Sequence, residues 1–377
     1  MVVRKIVFLF IIFFLFNCLR SQSNSVGLFK KLCKKETIDL KKVLTFGDQG
    51  TGEEILYRPV SLCVDAGSNI LIMDSEVGKI KKFDQKGRFV KSFSNKGRGP
   101  GEFLFGTFIT QLPGGQIVGH DARGRRIILF SESGIYITSF PLRGVVYGLR
   151  SMSDSLIVCG VSRLVRSNMN SFQSNSPVRM STKHCLEIIN VYSHKRYRID
   201  SLIVVNRLCI NNNSKMGSMI LPFTPTLLFG LLPSGELVSV HPDIQKAWII
   251  EPKGDVVTTF DLHIPQLEVT VQEKKEVFSG RAFKQLPAPR LEKKFPFPKT
   301  KPSCTALYTD DHSNILQRGY EVEDGLYEYY AYSPEGEKMG RIEMPFLSKR
   351  AKFKEGYIYD IVRPEEDYPY VAKYSVE

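Results

Sequence analysis

Residues Asn69–Phe93 read NILIMDSEVGKIKKFDQKGRFVKSF, and residues Gln116–Phe140 read QIVGHDARGRRIILFSESGIYITSF. Laid over one another, Asp74 falls on Asp121, Phe83 on Phe130, Gly87 on Gly134 and Phe93 on Phe140, each pair 47 residues apart. A third copy runs from Gly235 to Leu262 and a weaker fourth from Ser313 to Met344. Each has one grammar: a β-rich run ends in a polar turn, a second run ends in FDQKG, FSESG, EPKG or YSPEG, and a third follows. Gly87, Gly134, Gly254 and Gly336 close those turns, where a positive φ is needed. A repeat of about 40 to 50 residues carrying several strands predicts a β-propeller.

The Gly-rich basic stretch FSNKGRGPGEF, Phe93–Phe103, invites a phosphate-loop reading. A phosphate loop occurs once, opens a helix and is followed by Gly-Lys-Ser/Thr. This one recurs. FGDQGTGEEILYRP, from Phe46, pairs Gly50 with Gly97 and Gly52 with Gly99 at the same spacing. Pro100 interrupts it and a strand-like run follows, so it is the link between one blade and the next.

Blade-like units fall at about 58–93, 105–140, 145–202, 224–262 and 303–345. The third carries a polar insertion, Ser162–Thr182. Residues 263–302 form an excursion with a short helix expected near Gln272–Arg281. Ala351–Glu377 supplies the inner strands of a sixth blade, and Glu36–Phe46 supplies its outer strand. That pairing closes the ring and removes exposed sheet edges. The expected fold is therefore all-β: a six-bladed propeller of four-stranded antiparallel blades over 36–377, with seven blades the alternative.

The GRGPGEF link, the FDQKG turn and the closing EEDYPYVAKYSVE resemble NHL-type repeats. More closely, the chain resembles the exported six-bladed β-propeller (NHL/TolB-like) proteins of Bacteroidetes, many of them predicted lipoproteins. The resemblance implies a propeller and an envelope location. It implies no function, because fold does not fix function.

Export is also read directly. Arg4 and Lys5 precede the apolar run Ile6–Phe16, which is too short for a bilayer span of about 20 residues and suits a signal peptide. Leu15–Cys18, LFNC, resembles a lipobox, so 1–18 is expected to be a signal and lipobox region, Cys18 the lipidated residue and 19–35 a tether. Cleavage near Ser21–Ser23 is the alternative. The formal charge is +13, or +11 without Arg4 and Lys5. In an exported protein this points to an anionic surface, glycan or acidic partner rather than to nucleic acid. Seven cysteines include no C-x-x-C pair, so structural zinc is not expected. Cys63 and Cys159 lie in apolar runs and read as buried thiols, while a disulfide among the others is permitted but not assigned by spacing.

No nucleophile elbow, zinc-protease or EF-hand motif is present. Ligand candidates at the channel mouth are Asp74, His120, Asp121, Arg123, His241 and Asp243, a set able to hold a polar ligand, Ca²⁺ or another divalent cation. No catalytic residue is assigned. Asp74 and Asp121 recur in successive repeats, which favours turn capping, since a catalytic residue is unique to one blade. Within YEYYAY, alternation sets Tyr327 and Tyr329 on one face and Tyr330 and Tyr332 on the other, as packing between blades requires. The expectation is a monomeric binding or scaffold module for a glycan, peptide or protein, meeting the membrane only through a lipid anchor at the outer membrane or in the periplasm. The alternative is a metal-dependent, lactonase-like hydrolase or lyase.

Overall fold

The computed structural model describes residues 32–33, 36–48, 52–165, 178–212, 215–284 and 295–376. The signal region and Cys18 lie outside them. The described strands form six antiparallel sheets. The N-terminal strand is β1 (Leu40–Phe46). The first blade is β2 to β5 (Pro59–Val64, Ile70–Asp74, Lys79–Phe83, Phe89–Phe93) and the second is β6 to β9 (Gly106–Gln111, Ile117–Asp121, Arg126–Phe130, Tyr136–Pro141). The third is β10 to β14 (Val145–Ser151, Leu156–Leu164, Val178–Asn190, Arg196–Asn212, Lys215–Ile220). The fourth is β15 to β18 (Leu228–Leu231, Leu237–His241, Lys246–Ile250, Val256–Asp261) and the fifth is β19 to β22 (Ala306–Thr309, Ile315–Glu323, Leu326–Tyr332, Lys338–Pro345). The sixth blade is β23 to β25 (Lys352–Lys354, Tyr357–Val362, Tyr370–Val376), with β1 laid antiparallel outside β25 from Leu40↔Val376 to Phe46↔Val371. The two ends of the chain thus share one sheet, and the first strand of each blade lines a central channel.

Apolar clusters fill the spaces between blades. Tyr329 joins the cluster shared by the fifth and sixth blades, while Tyr330 and Tyr332 enter the one shared by the fourth and fifth. All three are buried, and the strand's alternation sends them to opposite sides of one sheet. The described cysteines, Cys33, Cys63, Cys159, Cys185, Cys209 and Cys304, are free thiols.

The third blade departs from the expected four strands. β12 and β13 are 13 and 17 residues long, far beyond the other strands, so β13 offers a free edge along which β14 adds as a fifth strand. Ser162–Leu164 and Val178–Thr182, expected in a polar insertion, extend β11 and β12. The excursion after the fourth blade covers this extension. Its helix α1 (Val271–Ser279) starts at a capping box, in which Thr270 Oγ1 accepts from Glu273 N at 3.2 Å and Glu273 Oε2 accepts from Thr270 N at 2.9 Å. Phe278, Phe283, Phe295 and Phe297 pack there with Leu208, Met219 and Leu221.

Candidate functional site

Asp74 and Asp121 end the second strands of their blades and are fully buried. Asp74 accepts from the backbone N–H groups of Tyr57 (3.0 Å) and Arg58 (2.9 Å), and Asp121 from those of Leu104 (3.1 Å) and Phe105 (3.0 Å). Each carboxylate fastens the link arriving from the previous blade. Lys81 lies 3.1 Å from Asp74 and also donates to the carbonyl of Ile55, while Arg126 stands 3.6 Å from Asp121. Asp360 does the same work in the sixth blade, taking Ser348 N at 2.6 Å. Sequence repetition and structural role therefore coincide: these aspartates are latches.

His120 is buried and its Nδ1 lies 2.7 Å from Thr107 Oγ1. Burial pushes its pKa down to about 4, so it is neutral at ordinary pH. His241 Nε2 is 2.9 Å from Asp200 Oδ2, joining the fourth blade to the third, and its ring meets Trp248 edge-on at 4.7 Å. Arg123 is exposed with its guanidinium 5.5 Å from the Phe105 ring centre, and Asp243 is exposed in the β16–β17 turn. All six candidates sit at the ends of second strands or in the turns after them. Because first and second strands run antiparallel, these turns stand at the opposite rim from the turns that follow the inner strands.

The large cavity is at that other rim. It measures about 550 Å³ and is lined by the ends of all six inner strands and their following turns, and none of the six candidates reaches it. Register explains what faces inward. Cys63, Thr110, Arg150, Gly230 and Tyr308 pair with equivalent residues of their second strands (Leu71, Val118, Val158, Val238, Leu316), and all line the cavity. Where other blades carry small, apolar or phenolic groups, the third carries an arginine.

A lysine faces it from across the ring. Lys352 opens the inner strand of the sixth blade, three blades away, and lines the same cavity. Burial first, then Arg150 and Arg350, push its pKa well below the usual lysine range. Burial pushes Arg150 down to about 10. Arg350, just ahead of β23, is also held at about 10, by burial and then by Arg150 and Arg363. The Arg150 guanidinium donates to the carbonyl of Leu149 at 2.9 Å and stands 5.8 Å from the Phe229 ring centre. Among the described residues no carboxylate lies within ion-pairing distance of Arg150, Arg350 or Lys352.

Asp310 and Asp311 are the acids of this rim. Asp310 accepts from the amides of His312 (2.9 Å) and Asn314 (2.8 Å) and from Asn314 Nδ2 (2.9 Å), and burial raises its pKa. Asp311 accepts from Glu355 N at 2.8 Å and lies 3.1 Å from His312 Nδ1. The three side chains cluster closely enough to share a cation, yet their oxygens already hold the β19–β20 turn and the neighbouring hairpin. The throat is therefore cationic and the rim carries structural acids. Reading polar turns in the sequence missed Arg150, Arg350 and Lys352. The signal was a basic residue inside an inner strand, LRS and KRAKFK, where the other copies have none.

Comparison with known proteins agrees with this architecture. The family described as a 6-bladed beta-propeller (DUF5128) matches residues 19–144. Among curated protein sequences none matches this chain. A Bacteroides fragilis protein with predicted export superposes with a TM-score of 0.53 and 11% identity, covering 90% of this chain and 95% of that one. A Bacteroides vulgatus member of the DUF4221 family superposes at 0.52 and 8%, covering 91% and 99%. Virginiamycin B lyase of Staphylococcus aureus aligns at 0.44 and 13%, covering 90% and 99%.

Proposed function

We propose that the protein is an exported binding module, tethered by a lipid on Cys18, whose channel takes an anionic group displayed by an envelope glycan, peptide or protein. The observation that carries this reading is the pair Arg150 and Lys352, which line the cavity from the third and sixth blades, with Arg350 close enough to act on both; among the described residues none of the three has a carboxylate within ion-pairing distance. Like charges enclosed together cost stability, and an anion offsets that cost on binding. An arginine fork also suits a carboxylate, phosphate or sulfate geometrically. The cavity lining sets Arg150, Lys352 and Lys354 against Asp310 and Asp311, whose oxygens are already held by their turn and the neighbouring hairpin, and such a positive excess concentrates anionic ligands. Export rests on the Arg4–Phe16 segment, and the fold is one shared with a Bacteroides protein of predicted export.

The test is a thermal-melt panel with acidic and neutral glycans, sulfate, Ca²⁺, Zn²⁺ and EDTA. A ligand at a hundred times its Kd adds about 2.7 kcal/mol, enough to move the melt by a few degrees. Stabilisation by anions, weakening with salt, is expected. Stabilisation by a divalent metal, reversed by EDTA, would instead select a metal-dependent hydrolase or lyase drawing on Asp310, Asp311 and His312.

A further inference from the structure

The channel cavity does not end at the rim. A second cavity of about 500 Å³ lies between the β2–β3 turn and the β6–β7 turn, and it shares Val64, Gln111, Pro113 and Lys354 with the first. The two form one bent path from the throat outward between the first and second blades, with Lys354 at the elbow. Their chemistry differs. In the groove Asp65 is matched by Lys82 at 2.9 Å and held by Asn69, and among the described residues the other charges lining it are Glu132 and Lys354. Throat and groove therefore present a cationic end and a nearly neutral arm.

The groove surface is also unusually free of side chains. Gly67, Gly114 and Gly115 line it, and at Gly115 a positive φ of 90° and a Glu132 oxygen 3.0 Å from any added Cβ reserve the site for glycine. Bare backbone lets a flat ring approach closely and offers amides and carbonyls to hydroxyl groups. Gln111 adds a side-chain amide, and the apolar Leu112 is buried beneath. Nothing there forms an apolar pocket of the kind that grips peptide side chains.

We infer that the ligand is a linear acidic oligosaccharide, with its charged sugar in the throat against Arg150 and Lys352 and its following sugars in the groove past Lys354. This inference rests on the channel reading proposed above. Each cavity by itself falls within the ~300–1,000 Å³ of a small-molecule site, so the continuous path accommodates a chain rather than one compact group.

Isothermal titration of the full chain tests it, with galacturonic acid, its linear dimer to tetramer, neutral galactose oligomers of equal length and an oligoglutamate of equal charge. Affinity is expected to rise about tenfold or more from monomer to trimer, equivalent to about 1.4 kcal/mol. Ala66→Trp, which fills the groove at its exposed edge, is expected to bring the trimer down to the monomer's affinity. Arg150→Gln is expected to abolish binding of both, with circular dichroism verifying that each variant is folded. Equal affinity for every length overturns the extended ligand and leaves the channel reading standing. Tighter binding of oligoglutamate overturns the glycan. Failure of every anion to bind overturns both inferences together.

Discussion

Arg350, from the sixth blade, lays its guanidinium 3.7 Å from the ring centre of Phe108, in the inner strand of the second blade. The first blade stands between them, so this side chain crosses part of the channel to reach its partner. Phe108 is buried, and a cation over an aromatic face is a stabilising arrangement that brings no negative charge with it. The throat is thus furnished with positive charge held by rings and carbonyls and left open to an anion.

Cations kept for a ligand work against the empty protein. Replacing Lys352 by Met removes a buried charge crowded by Arg150 and Arg350. The expected outcome is a ligand-free protein stabilised by about 1 kcal/mol, as is common when a functional residue is relieved of an unfavourable setting, together with loss of anion binding. Urea unfolding measures the first and titration the second. A destabilised variant would mean that Lys352 holds the ring together.

The latch aspartates should behave in the opposite way. Asp121→Ala strips the amides of Leu104 and Phe105 of their acceptor and is expected to cost about 3 kcal/mol. Asp74→Ala also leaves Lys81 buried without its counter-charge and is expected to cost about 4 kcal/mol. Neither should change the anion affinity of the protein that remains folded. A loss of affinity without loss of stability would return these residues to the binding site.

Two buried bases predict the same sign of pH dependence in different intervals: each has its pKa lowered by folding, so stability rises with pH. His120 titrates near 4 in the folded protein against 6.5 when free, so below 6.5 the unfolded chain takes up a proton that the folded one refuses. Stability is therefore complete above pH 6.5 and falls as pH drops to 4, by about 3 kcal/mol in total. His184 shifts in the same direction, while the raised Asp310 and Asp360 act against it. The test is consequently the difference between the wild type and His120→Asn, whose stability curves should converge towards pH 4. Parallel curves would show that His120 titrates in the fold as it does in the unfolded chain.

For Lys352 the lowered pKa means that the folded protein releases its proton first as pH rises. Between that point and the free value of 10.5, the unfolded chain holds the extra proton, so ligand-free stability rises with pH. Anion affinity should fall over the same interval, because the charge that attracts the ligand is disappearing. Titration in pH steps up to 10.5 reads both trends.

The N-terminal strand carries a prediction about ring closure. Removing residues 36–46 takes away β1, leaves β25 as an open edge and deletes Phe46, which packs beside Phe83 in the cluster joining the sixth and first blades. Losing that ring alone should cost about 3 kcal/mol or more. A shortened chain that melts like the full one would show that closure contributes little.

Much of this architecture was legible in the sequence because propeller blades repeat in register. The 47-residue match of Asp74 with Asp121 and of Phe83 with Phe130 predicted the blades, and the leftover strand at each terminus predicted their union in β1 and β25. The tyrosine run at 327–332 was readable from strand alternation alone. The fifth strand of the third blade was not, because β13 runs unbroken through Leu202–Asn212 with no glycine to mark a turn. The throat was missed for a reason of phase. Asp74 follows a second strand, whereas the cavity is built where first strands end, and only the pairing of Arg150 with Val158 shows that an arginine occupies the place of Cys63 and Thr110. That Arg150 and Lys352 line one cavity is a fact of ring closure that no local pattern contains.

The most direct measurement is an anomalous difference map from crystals soaked in selenate, an oxyanion that marks its own position. The account predicts a peak in the throat within hydrogen-bonding reach of Arg150 and Lys352, absent in Arg150→Gln crystals soaked identically. Selenate bound only at the outer surface, with the throat empty, would contradict it.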